Sequence, residues 1–166
     1  MTQRIRQAIL QRDYGRLDDA GLEPEVITRY LAVLARLAAA DGISMGEHLL
    51  VERIATFLGV AEDQLARAFL LAEDRGVSME ALVQAVSPDR ALALCLLRDA
   101  YRVAAADREL TPAELVVITE IADVLGFEPV VVGEVKAIVY EEQRAQRGFA
   151  SLMQRAATGV LDRLKR

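Results

Sequence analysis

Apolar residues recur along this chain at spacings of three and four, the period of a helix with one buried face, and the strict alternation of a half-buried strand is nearly absent. Punctuation divides the pattern into segments. A short helix is predicted over Thr2–Asp13, followed by a polar connector from Gly15 to Glu23. Pro24 suits the first turn of a helix running to about Ala40, which Asp41-Gly42 breaks. Ser44 opens the next helix and Gly59 closes it after Leu58. Further helices are expected over Glu62–Asp74, with Gly76 past the end, and from Ser78 to Val86. Ser87-Pro88 is expected to cap and open another that ends near Ala106, and Thr111-Pro112 to start one that Gly126 ends. Pro129 opens a long C-terminal helical region containing Gly133, Gly148 and Gly159, with a break expected near Gly148.

The segments repeat. Arg36-Leu37-Ala38-Ala39-Ala40-Asp41 matches Arg102-Val103-Ala104-Ala105-Ala106-Asp107, after which the second copy carries one extra residue. Ile43-Ser44 then matches Leu110-Thr111, Glu47 matches Glu114, Ile54-Ala55 matches Ile121-Ala122, and Leu58-Gly59 matches Leu125-Gly126. The unit is helix, acidic loop, helix, glycine turn, helix. One such unit cannot bury its own apolar stripe, so two should share a core. The expected fold is all-α: one domain over 1–166, a compact helical bundle of two pseudo-symmetric repeats at about 24–76 and 88–142, with an amphipathic C-terminal extension at about 143–166.

Composition supports this class and narrows the function. Hydrophobic residues make up 53% of the chain but aromatics only 5%, which leaves the Ala and Leu of packed helices. A single cysteine, Cys95, rules out an internal disulfide; it lies in the apolar run 91–97 and reads as a small buried hydrophobe, in keeping with a reducing cytoplasm. The N-terminus lacks a signal-peptide core, and no apolar stretch approaches the ~18 residues of a membrane span. The net charge of −5 is unevenly placed: +3 over residues 1–16, +5 over 144–166, and −13 between them. Such an acidic middle disfavours nucleic acid as a partner and favours cations or basic proteins.

The repeated loop holds the candidate chemistry. Ser44-x-x-Glu47 and Thr111-x-x-Glu114 have the spacing of capping boxes, in which hydroxyl and carboxylate satisfy each other's backbone N–H. Glu47 runs in phase with Leu50, Val51, Ile54 and Leu58, and Glu114 with Val117, Ile118, Ile121 and Leu125, so both head an apolar stripe. Capping accounts for these four residues but not for Asp41, Asp107 and Glu109. Asp41 and Asp107 each end a helix, where the dipole disfavours an anion, which suggests a compensating metal ion or Arg. Oxygen ligands would suit Ca²⁺, Mg²⁺ or Mn²⁺. An EF-hand is excluded, because its first two ligand positions would fall on Val103 and Ala105. The second loop has three carboxylates, Asp107, Glu109 and Glu114, against Asp41 and Glu47 in the first; Arg108 opposes a cation there, and Glu114 is also needed by its cap.

The doubled motif, Ala40-Asp41-Gly42-Ile43-Ser44-Met45-Gly46-Glu47 and Ala106-Asp107-Arg108-Glu109-Leu110-Thr111-Pro112-Ala113-Glu114, resembles the TerB-like family of tellurite-resistance proteins over roughly Pro24 to Glu142. The same module occurs ahead of the J-domain in a family of membrane-anchored co-chaperones; the His-Pro-Asp signature of a J-domain is absent here. The resemblance implies a small helical cytoplasmic protein linked to tellurite and related stress, at the inner face of the membrane where it associates with membrane-embedded partners. It also implies a divalent-metal site on the acidic loops, with Asp41, Glu47, Asp107, Glu109 and Glu114 as candidate ligands.

Catalysis finds little support. His48, the sole histidine, follows Glu47 and reads as a surface residue, and no Gly-rich phosphate loop is present. The expectation is a non-catalytic adaptor that binds a divalent cation, a protein partner, or both through its acidic loops. Two alternatives stand beside it: a metal-dependent enzyme using the loop carboxylates, and an interaction module with no metal. In the C-terminal segment Phe149, Leu152, Met153, Ala156, Val160 and Leu164 share a helical face among Arg144, Arg147, Arg155, Arg163, Lys165 and Arg166. It reads either as a terminal helix packed on the core or as a basic amphipathic element for an anionic membrane surface or a partner.

Overall fold

A helix with apolar residues on every side must be enclosed by others. The segment Thr28–Ala38 is of this kind, and in the computed structural model Tyr30 to Ala35, Leu37 and Ala38 are all buried. The structure describes residues 23–42, 44–106 and 110–164, with side chains in the last segment described as far as 157. The helix expected over Thr2–Asp13, most of the following connector, and Asp107, Arg108 and Glu109 therefore lie outside the described residues. Among those described there are seven helices and no strand: α1 Pro24–Ala38, α2 Met45–Leu58, α3 Glu62–Glu73, α4 Met79–Gln84, α5 Arg90–Ala104, α6 Pro112–Leu125 and α7 Pro129–Leu164. The fold is all-α, as the periodicity predicts.

The chain divides into two units, Met1–Glu128 and Pro129–Arg166. In the first, α1 is the central element and packs against α2, α3, α4, α5 and α6, while α5 also packs on α2 and α6. Side chains on α1 bond its neighbours directly. Gln64 of α3 donates to the Pro24 carbonyl at 2.7 Å and to Thr28 Oγ1 at 3.1 Å. Arg36 donates to the carbonyls of Leu71, Ala72, Asp74 and Val77, and so satisfies the C-terminal turn of α3, where helical carbonyls have no partner of their own. Tyr30 crosses to α5, its hydroxyl donating to Asp99 Oδ2 at 2.8 Å.

The helix ends follow the sequence signals with two exceptions. Gly59 and Gly126 close α2 and α6 in the left-handed conformation, at φ of 74° and 64°, where a side chain would be strained. The cap expected at Ser87-Pro88 is instead made by Asp89, whose carboxylate accepts from the N–H groups of Ala91 and Leu92, so α5 opens at Arg90. Ser87 is occupied elsewhere, its hydroxyl donating to the Gln84 carbonyl at the end of α4. The break expected near Gly148 does not occur, and α7 runs unbroken from Pro129 to Leu164. A glycine inside a helix costs about 1 kcal/mol, which weakens the helix but does not end it.

Candidate functional site

Each capping box forms as its spacing predicts. Ser44 Oγ accepts from the Glu47 N–H at 3.1 Å, and the Ser44 N–H donates to Glu47 Oε2 at 2.9 Å. In the second box the Glu114 N–H donates to Thr111 Oγ1 at 3.3 Å, and Glu114 Oε2 accepts from the Thr111 N–H at 2.7 Å and from its hydroxyl at 2.9 Å. These bonds fix each glutamate side chain over the first turn of its helix. Because that turn starts an apolar stripe, both carboxylates are carried inward: Glu47 is 4% exposed and Glu114 only 1%.

The two glutamates meet there, and Asp41 joins them. One carboxylate oxygen from each of Asp41, Glu47 and Glu114 lies within 4.8 Å of the others. Asp41 is exposed, so the cluster has one ligand at the surface and two beneath it. Glu114 Oε1 is buried and has no hydrogen-bond partner. Burial raises the Glu47 pKa above its ordinary value; the Ser44 N–H opposes this, and the nearby Glu114 carboxylate adds to the rise. The two glutamates can hydrogen-bond to each other only while one holds a proton. With both ionised, two like charges lie together beneath the surface and Glu114 Oε1 has no donor, an arrangement that costs free energy unless a cation or proton enters.

Of the five residues expected from the sequence, the structure brings Asp41, Glu47 and Glu114 together. Asp107 and Glu109 are outside the described residues. The grouping crosses the repeat, joining a loop residue of the first copy to the cap glutamates of both, whereas the sequence reading divides the ligands loop by loop. The sequence carried a partial signal: each glutamate heads an apolar stripe and so points to the core, but which carboxylates meet there depends on how the helices pack.

Other reactive groups lie elsewhere. His48 stacks on Phe69 with ring centroids 5.0 Å apart, its Nε2 3.3 Å from Glu52 Oε1. Cys95 is half-buried, and burial pushes its thiol up to about 11, so it is not a thiolate at neutral pH. Asp99 is a buried carboxylate that the sequence reading passed over. It accepts from Tyr30 on Oδ2 and lies 3.3 Å from both Arg98 Nε and Arg102 Nη1 on Oδ1. Its register with Leu92, Leu96 and Val103 marks it as core-facing, and the arginines three residues on and one before supply its counter-charge.

These features define a class: a helical protein whose two matched helix caps deliver buried glutamates to one acidic cluster. The family model for tellurite resistance protein TerB matches residues 29–137, about two thirds of the chain. The chain belongs to the TerB family and is a tellurite-resistance-like protein, as the doubled motif implies. No curated protein and no solved structure matches it.

Proposed function

We propose that this TerB-family chain is a non-catalytic adaptor that holds a divalent cation between Asp41, Glu47 and Glu114 and docks a protein partner, one embedded in the membrane, at its acidic loops. The observation that supports the cation most is that buried Glu114 keeps one carboxylate oxygen, Oε1, without a donor while its carboxylate shares a cluster with two others. Hydrogen bonding within the caps leaves this oxygen unused, so capping alone does not account for it. Oxygen ligands within 4.8 Å of one another fit a hard cation with oxygens at about 2.3–2.6 Å on either side, the range of Ca²⁺. Asp107 and Glu109, a few residues before Glu114, remain candidates to complete the shell.

Three protein carboxylates with water completing the shell make a weak site, with Kd of about 10⁻⁴–10⁻³ M. Calorimetric titration with Ca²⁺, Mg²⁺ and Mn²⁺ tests this. The expected result is one saturable site, weakened about tenfold by Asp41→Asn and abolished by Glu114→Gln. Asp107→Asn with Glu109→Gln measures the share of the second loop. Heats that are absent, or equal in all the variants, would remove the cation and leave an adaptor without metal.

A further inference from the structure

The second unit carries a face that the acidic cluster does not use. From Arg144 to Ala157 every residue of α7 is exposed. Within this stretch Phe149, Leu152 and Met153 are 64%, 57% and 58% exposed, and their spacing, with Ala156, places them on one side of the helix. Arg147 falls on the opposite side, and Arg144 and Arg155 flank the apolar face. Residues 144–166 hold six cations and one anion, against a net −13 over 17–143. A helix end with a bare aromatic and two large aliphatic side chains in line is stabilised by whatever covers them.

We propose that the C-terminal part of α7 lies in the surface of an anionic lipid bilayer, with Phe149, Leu152 and Met153 among the acyl chains and the arginines at the phosphates. Charge complementarity selects this occupant. Residues 144–157 carry Arg144, Arg147 and Arg155 and no acidic residue, and none of the three interrupts the line of Phe149, Leu152 and Met153, the arrangement of a helix with its apolar face among acyl chains and its cations at a layer of phosphates. Long arginine stems allow the charges to stay at the headgroups while the helix sinks to the depth of its apolar side chains. No described helix is long and apolar enough to cross a membrane, so the helix would lie in the surface and not span it. The acidic stretch 17–143 is repelled by the same phosphates, which confines the contact to the C-terminal part of α7. This reading does not depend on the cation site.

Co-sedimentation of the full chain with vesicles tests it, with chelator present so that no cation bridges carboxylate to phosphate. Vesicles of phosphatidylcholine mixed with phosphatidylglycerol should take up the protein, and phosphatidylcholine alone should not. Added salt should weaken the uptake. Phe149→Ser with Leu152→Ser, and separately Arg144→Gln with Arg147→Gln, should each lower the partition coefficient about tenfold. The altered residues are exposed, so the thermal midpoint should not change and unfolding cannot mimic the loss. No uptake by the mixed vesicles, equal uptake by both kinds, or uptake retained in both double variants would overturn the proposal. Self-association in sedimentation that Phe149→Ser with Leu152→Ser abolishes, without lipid uptake by the parent chain, would assign the face to a second copy and overturn it too.

Discussion

Glu47 and Glu114 perform two tasks that pull in different directions. As capping residues they accept backbone N–H groups and are better charged; as buried neighbours they are better with one proton between them. The Glu47 pKa lies above its ordinary value in the folded chain, so the native state holds more protons than the unfolded one across that interval. The stability this contributes is complete below the ordinary carboxylate value and is lost as pH rises through the raised one. Glu47→Gln removes the titration while keeping an acceptor for the Ser44 N–H, and it gives the buried Glu114 oxygen an amide donor. In chelator at neutral pH the variant should be more stable than the parent by about 1 kcal/mol, the usual gain from satisfying a buried polar atom. Denaturant melts across the acid range should show the parent losing stability relative to the variant as pH rises. Parallel curves would mean that the two carboxylates do not share a proton.

At the scale of the element, the helix starts matter more than their length suggests. Thr111 does more for α6 than Ser44 does for α2, because its hydroxyl both accepts from the Glu114 N–H and donates to Glu114 Oε2. Thr111→Ala should therefore destabilise by about 1–2 kcal/mol, read from the midpoint of urea unfolding. The same change frees the Glu114 side chain to leave the cluster. An unchanged midpoint would show that the cap is not what holds Glu114 in place. Arg36 works in the other direction along the chain, closing the end of α3 from α1 through four carbonyls. Its counterpart in the repeat, Arg102, lies beside Asp99, 3.3 Å from Oδ1.

For the molecule as a whole, the cluster joins segments distant in the chain, since the first acidic loop, the start of α2 and the start of α6 all contribute to it. A ligand that bridges them stabilises the folded state alone. At a cation concentration a hundredfold above Kd the gain is about 2.7 kcal/mol, a rise in Tm of about 5–10 °C for a chain of this size. Thermal melts with and without Ca²⁺ should show that rise in the parent and none in Glu114→Gln. Equal shifts in the two proteins would place the effect elsewhere on the acidic surface.

Much of this protein follows from local rules. The period of the apolar residues determined that it is helical, because an amphipathic helix is the way such a spacing buries one face. Ser44, Thr111, Gly59 and Gly126 determined where α2 and α6 begin and end, since caps and left-handed turns depend only on neighbours a few residues away. The doubled motif carried the family. Other features departed from the simplest local reading. Asp89 took the cap expected of Ser87 once that hydroxyl was bound at the end of α4, and α7 passed through Gly148 because a glycine lowers helix stability without forcing a turn. The ligand set changed most. Local spacing grouped Asp41 with Glu47, and Glu114 with Asp107 and Glu109, but burial of both stripes in one core brought Glu114 to Glu47 and Asp41. Which carboxylates share a site, and which of their oxygens is left without a donor, was decided only by the tertiary packing, because those distances are set between helices and not along them.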